Sequence, residues 1–178
     1  MSDQAASLTS AAEPIRVLFV CTHNSARSVM AEVILRRKGG DDFAVSSAGT
    51  EPGAVRPLTL RVLQEGGFDT SGLRSKSVDE FLGQRFDYVI TVCDQARQTC
   101  PVFPGSLESL HWGYEDPSEA SGTEDEQLAV YRRVFTQIGN RIGQFVPIAL
   151  RSRAEASGAE AKSASAVSAD LSSATPPR

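Results

Sequence analysis

The sequence predicts an α/β domain in three layers, a four-stranded parallel sheet with helices on both faces. Three observations predict it. Four short runs, Val17–Cys21, Phe43–Ala48, Tyr88–Val92 and Ser109–Trp112, read as strands, and Val17–Cys21 and Tyr88–Val92 have the apolar, β-branched and aromatic content of fully buried ones. The first two flank a helical pattern, and strand, helix, strand implies a right-handed parallel crossover. The chain has 178 residues and is 40% hydrophobic, enough to bury one sizeable core.

Taken in order, Met1 to Pro14 is rich in Ala and Ser without periodicity and reads as a disordered extension, so the folded unit is expected over 15–147. The first strand ends at Cys21, and a polar loop leads to a helix from Ser28 with Met30, Val33 and Ile34 on one face. Basic residues Arg36-Arg37-Lys38 followed by Gly39-Gly40 stop that helix. After the second strand, Gly49-Thr50-Glu51-Pro52-Gly53 is a loop, and Leu58, Val62 and Leu63 mark an amphipathic helix from Pro57 to Glu65. A polar stretch over Ser71–Ser77 leads to a short helix near Val78–Leu82 and then to the third strand, which ends at Cys93.

Past the fourth strand, Gly113-Tyr114-Glu115-Asp116-Pro117 is a loop. Thr123 with Glu126 forms a capping box for a final helix whose face is Leu128, Tyr131, Val134, Phe135, Ile138, Ile142 and Phe145, and Pro147 is expected to end it. Residues 148–178 are Ala, Ser and scattered charge and read as a disordered tail.

The formal charge of −4, with no basic run beyond Arg36-Arg37-Lys38, argues against a general nucleic-acid binder, so any anion site must be local. Three cysteines without an N-terminal signal segment fit a reducing, cytoplasmic setting, and no apolar run approaches the length of a membrane span. A Cys-x6-Cys spacing with only His23 and His111 to add is not a zinc pattern, so no metal is expected.

Such a local site is the Cys-x5-Arg loop from Cys21 to Arg27. The backbone N–H groups of Thr22, His23, Asn24, Ser25, Ala26, Arg27 and Ser28, at a helix N-terminus, would cradle a tetrahedral oxyanion, and Arg27 would add a planar fork of donors. The same field would favour Cys21 as a thiolate, a nucleophile beside its substrate. Asn24 would hold a left-handed turn, and Ser28 could donate to the Cys21 sulfur, though Ser at a helix start also caps. In an open parallel sheet the ligand crevice lies beyond the carboxyl ends of the strands, so Cys21 and Cys93 could share it if their strands are neighbours. Cys93 and Cys100, on what reads as a polar, mobile loop, complete a set of three thiols suited to disulfide exchange.

The stretch Cys-Thr-x-Asn-Ser-x-Arg-Ser with Met-Ala-Glu after it, Ser-Ala-Gly at Ser47–Gly49, the Cys93 and Cys100 pair, and His-Trp-Gly leading to Asp116-Pro117 together resemble the low-molecular-weight protein tyrosine phosphatases and the arsenate reductases that share their fold. The cysteine pair makes the thioredoxin-coupled arsenate reductases the nearer resemblance, with the matching motifs spanning roughly Val17 to Phe145. The resemblance implies a phosphatase-like fold and a catalytic domain over 15–147.

It also implies roles for individual residues. Cys21 attacks arsenate bound by the loop while Asp116 protonates the departing oxygen; Cys93 then attacks Cys21, releasing arsenite, and Cys100 moves the disulfide outward to an external dithiol, thioredoxin or a glutaredoxin. Asp before Pro is otherwise an ordinary turn initiator. No bound cofactor is implied, and phosphate or sulfate would compete as oxyanions. Three departures stand out: His23 where relatives often have Gly, so that its ring must point away from the loop or its backbone geometry must differ; Ala26 where many carry a second loop cysteine; and Lys76 about where some carry an acidic cation ligand. Two other readings stay open, a phosphomonoesterase using Cys21, Arg27 and Asp116 alone, with weak phosphatase activity also compatible with a reductase, and a non-catalytic oxyanion-binding or redox-sensing module.

Overall fold

Four parallel strands form one sheet in the order β2-β1-β3-β4, where β1 is Ile15–Cys21, β2 Phe43–Gly49, β3 Tyr88–Thr91 and β4 Glu108–His111. The computed structural model describes residues 13–171; most of the expected N-terminal extension and the end of the tail lie outside them. The helices are α1 (Arg27–Gly39), α2 (Pro57–Glu65), α3 (Asp94–Thr99) and α4 (Glu124–Leu171), with single 3₁₀ turns at Gly40–Asp42, Val78–Phe81 and Pro117–Glu119.

Successive side chains of a strand point to opposite faces, and in β1 Val17 and Phe19 are as fully buried as Leu18 and Val20. Both faces are therefore covered, which is why the strand reads as a continuous apolar run rather than an alternation. Phe19, Trp112 and Phe145 pack in series, with ring centroids 5.7 and 5.5 Å apart, and join the central strand to α4. Among the described residues, no helix is long and apolar enough to cross a membrane.

The strand order places the site. The chain leaves β1 toward β2 on one side and returns to β3 on the other, so the switch of direction falls between β1 and β3, at their carboxyl ends. Cys21 closes β1 and Cys93 follows β3, making the two strands the neighbours that a shared crevice requires.

Three expectations are corrected. Helix α1 has no single apolar face: Arg27 to Leu35 are all buried, including Ser28 and Glu32, because their polar groups bond inside the protein. Cys93 and Cys100 do not lie on a mobile loop; they flank helix α3, with Cys93 as its N-cap and Cys100 as its C-cap. Pro147 does not end the last helix, which runs on to Leu171. Proline removes one N–H and crowds the carbonyl four residues earlier, here that of Gly143. The next turns still pack: Ala149 is buried, and Arg153 reaches Asp42 with Nη2 2.5 Å from Oδ1. The helix therefore continues through 147/148, with packing contacts as far as Arg153.

Candidate active site

The loop between β1 and α1 is fixed by its carbonyls. Those of Cys21, Thr22 and His23 accept from the N–H groups of Thr50, Glu51 and Gly53 at 3.1, 2.8 and 3.0 Å, and that of Ser25 accepts from the N–H of Arg56 at 3.0 Å and from Thr59 Oγ1 at 2.9 Å. Ser75 Oγ adds a bond to the His23 carbonyl at 2.7 Å. With its carbonyls drawn outward to these segments, the loop turns N–H groups toward the Cys21 sulfur, joined by the unpaired N–H groups of the first turn of α1. The close approach requires Gly49: a Cβ there would lie 2.7 Å from the Thr22 carbonyl oxygen and 2.9 Å from the Asn24 nitrogen.

Asn24 sits in the left-handed region at φ 47°, as the sequence suggested, and its side chain locks the turn. The Lys76 N–H donates to Asn24 Oδ1 at 2.7 Å, which fixes the amide so that Nδ2 donates to Ser28 Oγ at 2.8 Å and to Ser47 Oγ at 2.9 Å. Because Ser28 Oγ accepts there, its own proton is free for the Cys21 sulfur 2.9 Å away. Ser47 in turn donates to Glu32, which also accepts from Lys76 Nζ at 3.0 Å and Arg36 Nη2 at 2.5 Å. One buried chain of bonds thus runs from a lysine ammonium to the cysteine sulfur. The roles of Glu32 and Ser47 were missed in the sequence; an acidic residue within an otherwise apolar turn of α1 is the signal that could have found Glu32.

Burial pushes the Cys21 thiol up from its ordinary value, opposed by the Ser28 hydroxyl and the N–H groups of Ser28 and Asn24, while the nearby Cys93 adds to the rise. Burial thus works against the expected thiolate, and the Ser28 and Asn24 donors work for it. His23 points away as expected, its Nδ1 3.0 Å from the Glu51 carbonyl oxygen.

Arg27 arches back over the loop and is itself held. Its Nη1 donates to the Tyr114 carbonyl at 3.1 Å, and its Nη2 pairs with Asp116 Oδ2 at 2.6 Å. The other Asp116 oxygen accepts from the Ser118 N–H and hydroxyl at 3.0 and 2.8 Å. The Asp-Pro turn is thus both a turn initiator and the partner of Arg27.

Cys93 is buried at the start of α3, where its sulfur meets the Ala96 N–H at 3.4 Å and Thr22 Oγ1 at 3.3 Å. Val20 is in register with Thr91, so Cys21 comes one residue after the last position of β1 paired with β3, and Cys93, the N-cap of α3, two residues after that of β3. Cys100 is half-buried, and burial pushes its thiol up to about 11. The structure therefore gathers Cys21 to Ser28, Asp116 and Cys93 at one sheet edge, with Cys100 one short helix away.

The family model for low molecular weight phosphotyrosine protein phosphatase matches residues 16–157. An arsenate reductase of Halalkalibacterium halodurans is 43% identical over 129 residues, 72% of this chain and 93% of the relative. A thioredoxin-dependent arsenate reductase of Corynebacterium glutamicum superposes with a TM-score of 0.63 at 30% identity, covering 80% of this chain and 65% of that one. An arsenate reductase in the phosphate binding state gives a TM-score of 0.61 at 30% identity over 75% of this chain and 97% of that one. Loop, fold and relatives agree, and the chain belongs to the low molecular weight phosphotyrosine protein phosphatase family.

Proposed function

We propose that the protein is an arsenate reductase that detoxifies arsenic in the cytoplasm, using Cys21, Cys93 and Cys100 as a thiol relay and thioredoxin as the external reductant. The observation that carries this reading is a second buried cysteine, Cys93, close to Cys21 beyond the end of the neighbouring strand, an arrangement that phosphate ester hydrolysis does not need.

Arsenate occupies the loop from Thr22 to Ser28, held by backbone N–H groups and the Arg27 guanidinium. An anion taking the arginine fork stands beside the Asp116 carboxylate, which Arg27 and Ser118 hold in place. The Cys21 sulfur attacks arsenic, and Asp116 passes a proton to the departing oxygen, so thiol and H₂AsO₄⁻ give a thiol-arsenate adduct and water. Cys93 then attacks the Cys21 sulfur. The arsenic–sulfur bond breaks with its electron pair retained by arsenic, the Cys93 proton goes to the leaving oxyanion, and arsenite departs from a Cys21–Cys93 disulfide. The N–H of Ala96 and the Thr22 hydroxyl support the Cys93 thiolate at that moment.

Cys100 must then reach Cys93. Seven residues of helix span about 10 Å, beyond the reach of a disulfide, so α3 unwinds for this step, which also brings Cys100 into water and eases its ionisation. The resulting Cys93–Cys100 disulfide is open to thioredoxin, consistent with the dependence named for the Corynebacterium glutamicum relative. Phosphate and sulfate compete for the loop without being reduced; a glutaredoxin is the alternative reductant.

The test is steady-state arsenite release with thioredoxin and its reductase. Cys21→Ser, Cys93→Ser and Cys100→Ser should each stop turnover, while Cys93→Ser should keep any hydrolysis of an aryl phosphate that the wild type shows. Wild-type arsenite release by both Cys93→Ser and Cys100→Ser would sink the relay.

A further inference from the structure

The relay requires α3 to hold while Cys93 attacks and to give way when Cys100 follows. Helix α3 is only six residues long and mostly exposed, with Ala96 as its one buried residue. Its N-cap bond comes from Cys93 itself, through the Ala96 N–H. Among the described residues, one side-chain hydrogen bond ties residues 94–99 to another element: His111 Nε2 to Asp94 Oδ1 at 3.0 Å. A carboxylate only accepts, so Nε2 carries the proton. The ring's other nitrogen meets Thr91 Oγ1 at 2.9 Å, and Thr91 stands opposite His111 in the β3–β4 register. The imidazole therefore bridges a sheet residue and the first residue of α3. Gly113 leaves room for the pair, since a Cβ there would lie 3.3 Å from His111 Nε2 and 3.7 Å from Asp94 Oδ1.

We propose that His111 is a positioning residue for the thiol relay: through Asp94 it latches the first turn of α3 to the end of β4, and it sets how fast Cys100 reaches Cys93. The proposal rests on the reductase reading for its place in the reaction, while the latch itself is a property of the reduced protein. Before reaction, the Cys93 sulfur accepts from the Ala96 N–H and the latch secures the neighbouring residue, so Cys93 stays aimed at Cys21. Once Cys93 is bonded to Cys21 its sulfur is a poorer acceptor, the N-cap weakens, and His111–Asp94 is the remaining side-chain hydrogen bond from α3 to another element, beside the packing of Ala96.

That tie is weak by construction, with the Asp94 side chain 87% exposed. It opens, Cys100 loses its proton to solvent and attacks the Cys93 sulfur, and the Cys21–Cys93 bond breaks. A Cys93–Cys100 bond forms, and Cys21 leaves as a thiolate that takes up a proton. The exchange involves no net oxidation, and the external dithiol supplies the electrons afterwards.

The experiment uses the full chain. Reduced protein is mixed with one equivalent of arsenate without thioredoxin, quenched with an alkylating agent, and mapped for each disulfide over time; amide hydrogen exchange across 93–100 is followed separately in the reduced protein without arsenate. His111→Ala should speed conversion of the Cys21–Cys93 disulfide to Cys93–Cys100, and speed α3 exchange, each by up to about fivefold, the scale of an exposed ion pair. The rate of the first disulfide should not rise, because the latch holds Cys93 toward Cys21. His111→Gln, whose amide can still donate to Asp94, should restore both rates, and Asp94→Ala, made at an exposed position, should reproduce His111→Ala if that variant folds poorly. Unchanged exchange and conversion in both alanine variants, or failure of His111→Gln to restore them, overturns the latch. If wild-type protein forms no Cys21–Cys93 disulfide with arsenate, the reductase reading fails, and the exchange data still decide the latch.

Discussion

Asp116 occupies the Arg27 fork: carboxylate Oδ2 and guanidinium Nη2 are 2.6 Å apart, and the arginine side chain is only 9% exposed. An oxyanion entering the loop has to compete with that carboxylate for the same donors. Asp116→Asn removes the competing charge and the acid together, while the Tyr114 carbonyl keeps its hold on Arg27. The expected result is a kcat for arsenite release lower by about 10²–10⁴-fold, the usual contribution of general acid catalysis. Inhibition by phosphate should be equal or stronger, because the like charge facing the anion is gone. Steady-state kinetics with phosphate as competitor read both quantities, and a parallel fall in phosphate binding would assign Asp116 to positioning Arg27 instead.

Cys100 should be the slow thiol of the folded, reduced protein where α3 stays closed. Burial takes it from 9.0 to about 11, so at pH 8 its thiolate fraction is about a hundredfold smaller than that of an exposed cysteine. The sign follows from the direction: the neutral form is the one favoured by folding, so reactivity climbs as pH rises toward the raised value and jumps when the protein unfolds. Timed alkylation with iodoacetamide between pH 7 and 10, with peptide mapping in native buffer and in urea, measures it. Equal native and unfolded rates at Cys100 would mean that α3 opens freely in the reduced state.

The strands, the Cys21–Arg27 loop and the crossover could be read because each is written locally. An apolar run ending in a cysteine, small polar residues and then a helix start are all contiguous in sequence. What could not be read depends on partners far along the chain. Glu32 is buried inside α1 with Arg36 one turn on, and with Ser47 and Lys76, 15 and 44 residues later, as its distant partners. Residues 94–99 read as a loop, since a six-residue helix has too short a period to show in sequence, and its ties come from Cys93 and from His111 on another strand. The conflict over Cys21 is of the same kind: the spacing promises donors but says nothing of the burial that works against them.

The Lys76–Glu32 pair invites a stability test. Their side chains are 14% and 6% exposed. Lys76→Met leaves Glu32 with Arg36 and Ser47 only, so the cost should fall at or below about 3 kcal/mol, the lower end for breaking a buried pair. Urea unfolding measures this. Adding Glu32→Gln in the same chain should recover part of the loss, because the uncompensated charge is then removed. Lys76→Met should also loosen Asn24 and Ser28, slowing alkylation of Cys21 relative to wild type at equal pH; an unchanged rate would separate the pair from the sulfur.

Pro147 supplies the last test, since it marks where a reading from sequence and the packing disagree. Helix α4 continues past it because Ala149 is buried and Leu150 packs on the core, and Arg153 pairs with Asp42 beside the start of β2. A chain ended after Val146 loses all three. Burying one large and one small apolar side chain contributes about 2–3 kcal/mol, and a partly exposed ion pair at most about 1 kcal/mol. Thermal and urea unfolding should therefore show a chain of residues 13–146 destabilised by about 2–4 kcal/mol against one of residues 13–157, which keeps the whole span matched by the family model. Equal stability of the two would mean that the turns beyond Pro147 rest on the core without holding it, and the folded unit would end where the proline first suggested.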